Sequence, residues 1–380
     1  MRVLFVCGGT AGHINPALAV AGCLRRIMPE VKILFAATGR DLEKKLISAA
    51  GYDLINIRMS GIRRGISPGK IIYNIKTAKN LVAAGREAEK LMNDFMPDAV
   101  LGTGGYICYP VLIKAAKKGI PTLIHEANAV PGLTTKMLSA RVDKVLASFK
   151  GQEMHYRRPG AVLHTGMPVR ENFQLPPDAA KKPAPDKKPL VVSFWGSLGA
   201  ERLNEMIADF IKLNIKDGGF DHIHAAGTGS AVKLIENKLK QPGAALNLPA
   251  GVEIREYIED MPSVMAAADI VVCRAGASTI AELTLMGKPS VLIPSPYVTG
   301  NHQEKNAMEL TKAGGALMLD EKMCTGASLY ETVLTIISDK DKLNSMAAAQ
   351  KSLGIPNAAE KIAGLIQEII ADKERTKADG

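Results

Sequence analysis

The sequence predicts an α/β protein of two doubly wound domains, each a parallel sheet with helices on both faces. Three observations carry this. Short, almost wholly apolar runs alternate with longer amphipathic stretches along the chain, the pattern of strands buried on both faces and joined by crossover helices. Each half opens with a strand, a glycine turn and a helix, over residues 3–12 and again over 191–200. The 380 residues also exceed what a single hydrophobic core holds, roughly 250–300.

Candidate strands in the first half are residues 3–6, 33–37, 99–101, 122–124, 144–147 and 162–163. In the second half they are 190–194, 222–225, 252–254, 270–273, 290–293 and 316–319. Helices are expected over 14–28, 72–92, 201–213 and 302–312. Residues 174–189 hold five prolines, which rules out a regular helix or central strand there and marks a linker or exposed loop. The first domain is therefore placed at 1–167 and the second at 168–354. A last amphipathic helix over about 355–372 is able to pack back on the first domain. Sheets of this kind bind ligands outside the carboxyl ends of their strands, so a cleft between the two domains is the expected site.

Composition narrows the class. Hydrophobic residues make up 47% and charged residues 23%, which excludes a disordered, collagenous or disulfide-stapled chain. No apolar run approaches the roughly 20 residues of a membrane-spanning helix. The five cysteines lie far apart with no metal-ligand spacing and read as reduced core residues of a cytoplasmic protein. The amino terminus meets Gly8 and Gly9 too soon for a signal-peptide core. Charge is unevenly spread: residues 1–170 hold 25 Lys and Arg against 11 Asp and Glu, and residues 171–380 hold 23 against 27. A strongly basic first half points to an anionic partner.

Four glycine turns carry the chemistry. Gly8-Gly9-Thr10-Ala11-Gly12-His13 follows a strand and opens a helix, so its backbone N–H groups and the helix end favour an anion. It matches neither the dinucleotide nor the P-loop fingerprint. His13, in the first helical turn, is placed to move a proton near neutral pH, or simply to cap the turn. Gly102-Thr103-Gly104-Gly105-Tyr106 again permits close backbone approach, and Tyr106 is placed to line a cleft or to cover the core. In Gly196-Ser197-Leu198-Gly199-Ala200, Ser197 is able to cap the helix or meet a phosphate. The fourth turn runs from Arg274 through Ala277, Ser278, Thr279, Ile280 and Ala281 to Glu282. Its small residues suit a diphosphate, and Glu282, one and a half turns into the helix, suits a ribose. Asn301, His302 and Gln303, after the next strand, suit sugar hydroxyls. Together these describe a nucleotide-sugar site.

At this point the chain resembles the peptidoglycan glycosyltransferases that convert lipid I to lipid II. The resemblance rests on residues 8–19, Gly104-Gly105-Tyr106, His125-Glu126-Ala127-Asn128 with residues 131–134, and Gly166-Met167-Pro168-Val169-Arg170. It continues through residues 196–200 with Asn204, residues 274–282, and residues 301–303 with Asn306 and Ala307. Met167 stands where the family pattern has Asn, and Leu198 where it has Gln. The resemblance implies a GT-B fold of two Rossmann-like domains. UDP-N-acetylglucosamine would sit in the second, and an undecaprenyl-linked acceptor would meet the first at the inner face of the cell membrane.

By the same resemblance, Ile258 would meet the uracil through its backbone and Glu282 the ribose. Ser197 and the turn at 277–279 would hold the diphosphate. Asn128, Gln303, Thr10, Ala11, Gly12 and Arg170 would meet the donor side, with Tyr106, Asn204 and Arg274 completing the substrate-binding set. The implied reaction is an inverting transfer to the 4-hydroxyl of N-acetylmuramic acid, with His13 as the favoured base and Glu126 its rival or a sugar-orienting group. Helix N-termini are able to stabilise the leaving diphosphate without metal. Asp339-Lys340-Asp341 reads as helix-start charge rather than a metal site, so neither metal nor cofactor is expected.

Residues 60–80 interleave Arg63, Arg64, Lys70, Lys76 and Lys79 with Ile62, Ile66, Ile71, Ile72 and Ile75. This reads as an apolar patch rimmed by positive charge, resting on anionic lipid. The alternatives are a GT-B enzyme with another lipid or small-molecule acceptor, a nicotinamide-dependent oxidoreductase that lacks its fingerprint, and a nucleic-acid-binding protein. The last has only 4% aromatics and no binding motif, so no nucleic-acid partner is expected.

Overall fold

The computed structural model describes residues 1–59, 61, 67–173, 187–196, 199–240 and 247–378. The chain forms two units: Met1–Arg170 with Ile355–Gly380, and Glu171–Gly354. The proline-rich stretch 174–186 lies outside the described residues. So do Ser60 and residues 62–66 of the basic–apolar patch; the side chains of its residues 70–72, 75, 76 and 79 are likewise not described.

The first unit runs β1 (Arg2–Cys7), α1 (Ala11–Ile27), β2 (Lys32–Ala37), α2 (Asp41–Ala49), β3 (Asp53–Asn56), α3 (Pro68–Phe95), β4 (Ala99–Gly104), α4 (Cys108–Lys117), β5 (Thr122–Glu126), α5 (Leu133–Leu138), β6 (Lys144–Ala147) and β7 (Val162–His164). All pairings are parallel, in the order β3-β2-β1-β4-β5-β6-β7. The six expected strands are present. The seventh, β3, has no apolar run to announce it: it is an edge strand, Asp-Leu-Ile-Asn, exposed at three of four positions. Helix α3 starts at Pro68, four residues before the expected start, because a proline fits the first helical turn, where its missing N–H costs nothing.

The second unit runs β8 (Leu190–Phe194), α6 (Glu201–Asp217), β9 (Asp221–Ala225), α7 (Ala231–Leu239), β10 (Val252–Arg255), α8 (Met261–Ala267), β11 (Ile270–Cys273), α9 (Ala277–Met286), β12 (Ser290–Leu292), α10 (His302–Lys312), β13 (Ala316–Met318), α11 (Gly326–Ile337) and α12 (Lys340–Leu353). Its sheet is also parallel, in the order β10-β9-β8-β11-β12-β13. Asp339 caps α12, accepting from Lys342 N at 2.9 Å. Helix α6 runs four residues beyond the expected end, to Asp217, and Gly218, with φ of 65°, terminates it in the left-handed region.

Helix α13 (Ala358–Ala378) returns to the first unit. Ala359, Ile362, Ala363 and Ile366 share a core with Ile14, Ala17, Val20, Ala21 and Leu24 of α1. Ile362 and Ile366 are fully buried, each removing enough apolar surface for about 2 kcal/mol. In both units the sheet reverses its winding at the strand that opens the half. Between β1 and β4, and between β8 and β11, neighbouring strands send their helices in opposite directions. The four glycine turns of the sequence sit at these two switch points, where open sheets hold ligands.

Candidate active site

In the first unit the turns after β1 and β4 interlock. His13 is the third residue of α1, and its Nδ1 lies 2.8 Å from Gly8 O. A carbonyl only accepts, so Nδ1 carries the proton and neutral His13 presents Nε2 as a lone pair. Thr103 Oγ1 donates to His13 O at 2.7 Å. Gly104 (φ +126°) lies against the His13 ring, where a Cβ would collide with it, and a Cβ on Gly105 (φ +92°) would meet Gly8 O at 2.6 Å. Only glycine lets the β4 turn lie this close with these backbone angles. Thr10, Ala11 and Gly12 form the first turn of α1, whose N–H groups have no intrahelical acceptors. Tyr106 follows and is 45% exposed.

Sequence reasoning missed Glu43, which is fully buried. Its Oε1 accepts from Gly9 N and Thr38 Oγ1, both at 2.7 Å, and its Oε2 from Arg40 N at 2.9 Å. Burial alone would push the carboxyl up; the Gly9, Thr38 and Arg40 hydrogen bonds outweigh it and hold the group below the ordinary Glu range. A signal existed: Glu43 precedes buried Ile47 by four residues and so shares its inward face.

At the end of β5, Glu126 is buried, and its carboxylate is committed to a loop. Oε1 accepts from Asn128 N and Asn128 Nδ2, both at 3.1 Å, and Oε2 from Gly132 N at 3.0 Å. Gln152 Nε2 donates to Asn128 O at 2.5 Å. A carboxylate held by three donors would lose their stabilisation on taking a proton. These bonds tie Glu126 to the 127–132 loop that carries Asn128. Neighbouring His125 Nε2 lies 3.1 Å from Gly166 O, and burial holds its imidazole below the usual range. Met167 is buried, with Ser148 Oγ 3.7 Å from its sulfur. Arg170 is exposed at the end of this unit.

In the second unit, α9 starts at Ala277 with Gly276 as its cap, and Gly276 O accepts from Ile280 N at 2.9 Å. Ser278 Oγ is buried and has no partner among the described residues. Glu282 lies half-buried one and a half turns on, with Ala281 beside it. Gln303 Oε1 accepts from Ser295 N at 2.8 Å, which orients the amide so that its NH2 is the end left to donate. Ile258 is buried. Ser197 and Leu198 lie outside the described residues. Among the described residues no three His, Cys, Asp or Glu side chains cluster to hold a metal ion.

Two residues of the expected substrate-binding set are held by partners within the second unit. Arg274 Nη1 turns inward to Glu321 Oε2 at 2.6 Å and Ile293 O at 3.0 Å, and both side chains are nearly buried. This ion pair ties the end of β11 to the loop after β13. Glu321→Ala leaves that guanidinium half-satisfied and lowers the unfolding free energy of this unit by about 3 kcal/mol. Urea unfolding checks this, and an unmoved midpoint would rule it out.

Asn204, 1% exposed, is the second. Its Nδ2 donates to Ala226 O at 2.9 Å, so its Oδ1 is the end facing His224 Nε2 at 3.3 Å. His224 Nε2 therefore carries the proton, and its Nδ1 accepts from Ser193 Oγ at 2.7 Å. Ser193 Oγ accepts in turn from His222 Nε2 at 2.8 Å. The chain of bonds ends at Ala226 O, against which a Cβ on Gly199 (φ +71°) would collide. Asn204 thus braces the turn after β8 from beneath.

Two parallel sheets of the doubly wound kind, with glycine turns and a histidine at their switch points, define the GT-B class of glycosyltransferase. Residues 3–147 match the glycosyltransferase family 28 N-terminal domain and residues 190–362 the glycosyltransferase family 28 C-terminal domain, and the chain belongs to this family. A relative from Acetivibrio thermocellus is 42% identical over 98% of this chain and 99% of its own. One from Ruminiclostridium cellulolyticum is 41% identical over 97% and 100%. Both are named UDP-N-acetylglucosamine–N-acetylmuramyl-(pentapeptide) pyrophosphoryl-undecaprenol N-acetylglucosamine transferase. The crystal structure of Acinetobacter baumannii MurG superposes with a TM-score of 0.74 at 28% identity, covering 97% of this chain and all of that one. The calicheamicin glycosyltransferase CalG4 shares the fold at 16% identity and a TM-score of 0.69, over 98% of each chain.

Proposed function

We propose that the chain transfers N-acetylglucosamine from UDP-N-acetylglucosamine to the 4-hydroxyl of the N-acetylmuramic acid of undecaprenyl-pyrophosphoryl-MurNAc-pentapeptide, lipid I, with inversion, yielding lipid II. The observation that carries this is end-to-end similarity, at about 40% identity, to relatives named for that transfer. In this reading His13 Nε2 takes the proton of the attacking hydroxyl while the Gly8 carbonyl holds the ring. Glu126 keeps the 127–132 loop in place so that Asn128 meets the donor sugar with Gln303, Arg170 and the turn at Thr10, Ala11 and Gly12. Tyr106 lines the acceptor side. Glu282 accepts from the ribose hydroxyls, and backbone at Ile258 reads the uracil. The first turn of α9, with the Ser278 hydroxyl, and Ser197, which precedes α6 in sequence, receive the departing diphosphate.

The test is purified protein with UDP-N-acetylglucosamine, a short-chain lipid I analogue and EDTA. Disaccharide product and UDP are expected. Saturable donor binding without product would redirect the acceptor assignment, and activity lost to EDTA and restored by magnesium would overturn metal independence.

The same reading places the protein peripherally at the cytoplasmic face of the cell membrane. Among the described residues no helix is long and apolar enough to cross a membrane, and the excess of positive charge lies in the first 170 residues. Anionic phosphatidylglycerol vesicles should bind the protein at low ionic strength and release it at about 0.5 M salt, where screening acts within a few ångströms. Failure to bind at low salt would remove the membrane contact.

A further inference from the structure

We propose that Glu43 is a positioning residue for His13, acting through the single peptide group that joins Gly8 to Gly9. The N–H of that peptide donates to Glu43 Oε1 at 2.7 Å, and its C=O accepts from His13 Nδ1 at 2.8 Å. Carboxylate, amide and imidazole thus lie in one hydrogen-bonded line. No proton travels along it. A negative charge at the N–H end draws that proton toward it and leaves more electron density on the carbonyl oxygen, and hydrogen bonds in series strengthen one another in this way. The stronger carbonyl acceptor fixes the Nδ1–H tautomer, holds the ring, and favours the imidazolium that forms when Nε2 accepts a proton. A carboxylate bonded directly to a histidine does the same work in hydrolytic triads. Here one peptide is interposed.

The surroundings fit that role. Glu43 is fully buried, and its three donors come from the glycine turn and from the loop before α2. At Gly8 a Cβ would press on Glu43 Oε1 at 3.2 Å, and Gly9 has φ +96°, so both glycines serve this contact. The other titratable groups facing the pair are Cys7 from β1, Cys108 from α4, Arg40 before α2, and His125 with Glu126 from β5. Burial pushes both thiols up and His125 down.

The inference rests on His13 as base for its catalytic consequence, but its first readout does not. In the full chain labelled with 15N-histidine, Glu43→Gln should lower the midpoint of the His13 titration by about half a pH unit or more and weaken the Nδ1–H preference in the nitrogen shifts. The acid limb of kcat/KM should fall with it, and kcat at pH 7 should drop about tenfold, the scale of other outer-shell partners of histidine, with donor KM unchanged. An unmoved midpoint would overturn the proposal and leave His13 as base untouched. A lowered midpoint with an unmoved acid limb would uphold the Glu43 contact and overturn His13 as base. Should Glu43→Gln not fold, Thr38→Val removes the hydroxyl that shares Oε1. The Gly9 bond then tightens, the Gly9 amide proton moves downfield and the His13 midpoint rises by a few tenths; no change in either would overturn the proposal.

Discussion

His13→Ala lowers kcat by about two to four orders of magnitude, the usual worth of a positioned general base, while UDP-N-acetylglucosamine still binds. The substitution removes a side chain at the β1–β4 switch point that combines a lone pair with a fixed orientation. Nδ1 is held by Gly8 O, so Nε2 is the nitrogen left to accept. The glycine turn itself should persist, because Gly9 N remains bound to Glu43 and Thr103 Oγ1 still donates to the backbone at position 13. Single-turnover rates and donor binding, measured separately, decide the matter. Near-normal turnover would return the role to Glu126, against its three existing hydrogen bonds.

Mild acid is expected to unfold the second unit before the first. His222 and His224 are fully buried; burial holds His222 down to about 3 and His224 well below the usual imidazole range. In the unfolded chain both titrate near 6.5. The folded value is the depressed one, so the unfolded state binds more protons below pH 6.5 and stability falls as pH drops toward 3. Each histidine removes about 1.4 kcal/mol per pH unit, so by pH 5 the two together cost about 4 kcal/mol. Protonation also breaks the directional chain, because His224 Nδ1 must accept from Ser193 for Asn204 to keep its place under the turn after β8. Urea midpoints between pH 7 and 5 measure this, and His222→Gln, whose amide is still able to donate to Ser193, should remove about half the slope. A flat profile over that range would rule it out.

The sheets were legible because both-face burial writes itself as apolar runs, and twelve of the thirteen strands read that way. The edge strand β3 did not, since three of its four residues are exposed. The glycine turns were legible for a different reason: positive φ at Gly9, Gly104, Gly105, Gly196 and Gly199 admits little else. What stayed hidden were the roles of polar side chains whose partners are distant in sequence. Arg274 and Asn204 read as ligand groups, and the sequence does not show that Glu321, 47 residues on, and Ala226 hold them. Glu126 reads as a candidate base, and its bond from Gly132 N is not visible in the sequence. The spacing to Ile47 marks Glu43 as inward-facing, but its contact is hidden because its principal partner, Gly9, lies 34 residues away. Motif reading places such residues near the chemistry and leaves open which of them touch it.

The return of α13 to the first unit gives the protein an order of assembly. Residues 171–354 are contiguous and can complete their core while the ribosome is still at work, as domains generally do. Residues 1–170 cannot, because Val20, Ala21 and Leu24 of α1 share their core with Ile362, Ala363 and Ile366, which are made only after the second unit. Until then the nascent unit presents bare apolar surface, and closing the gap takes a contact across more than 300 residues. The unit synthesised first is therefore the last to close.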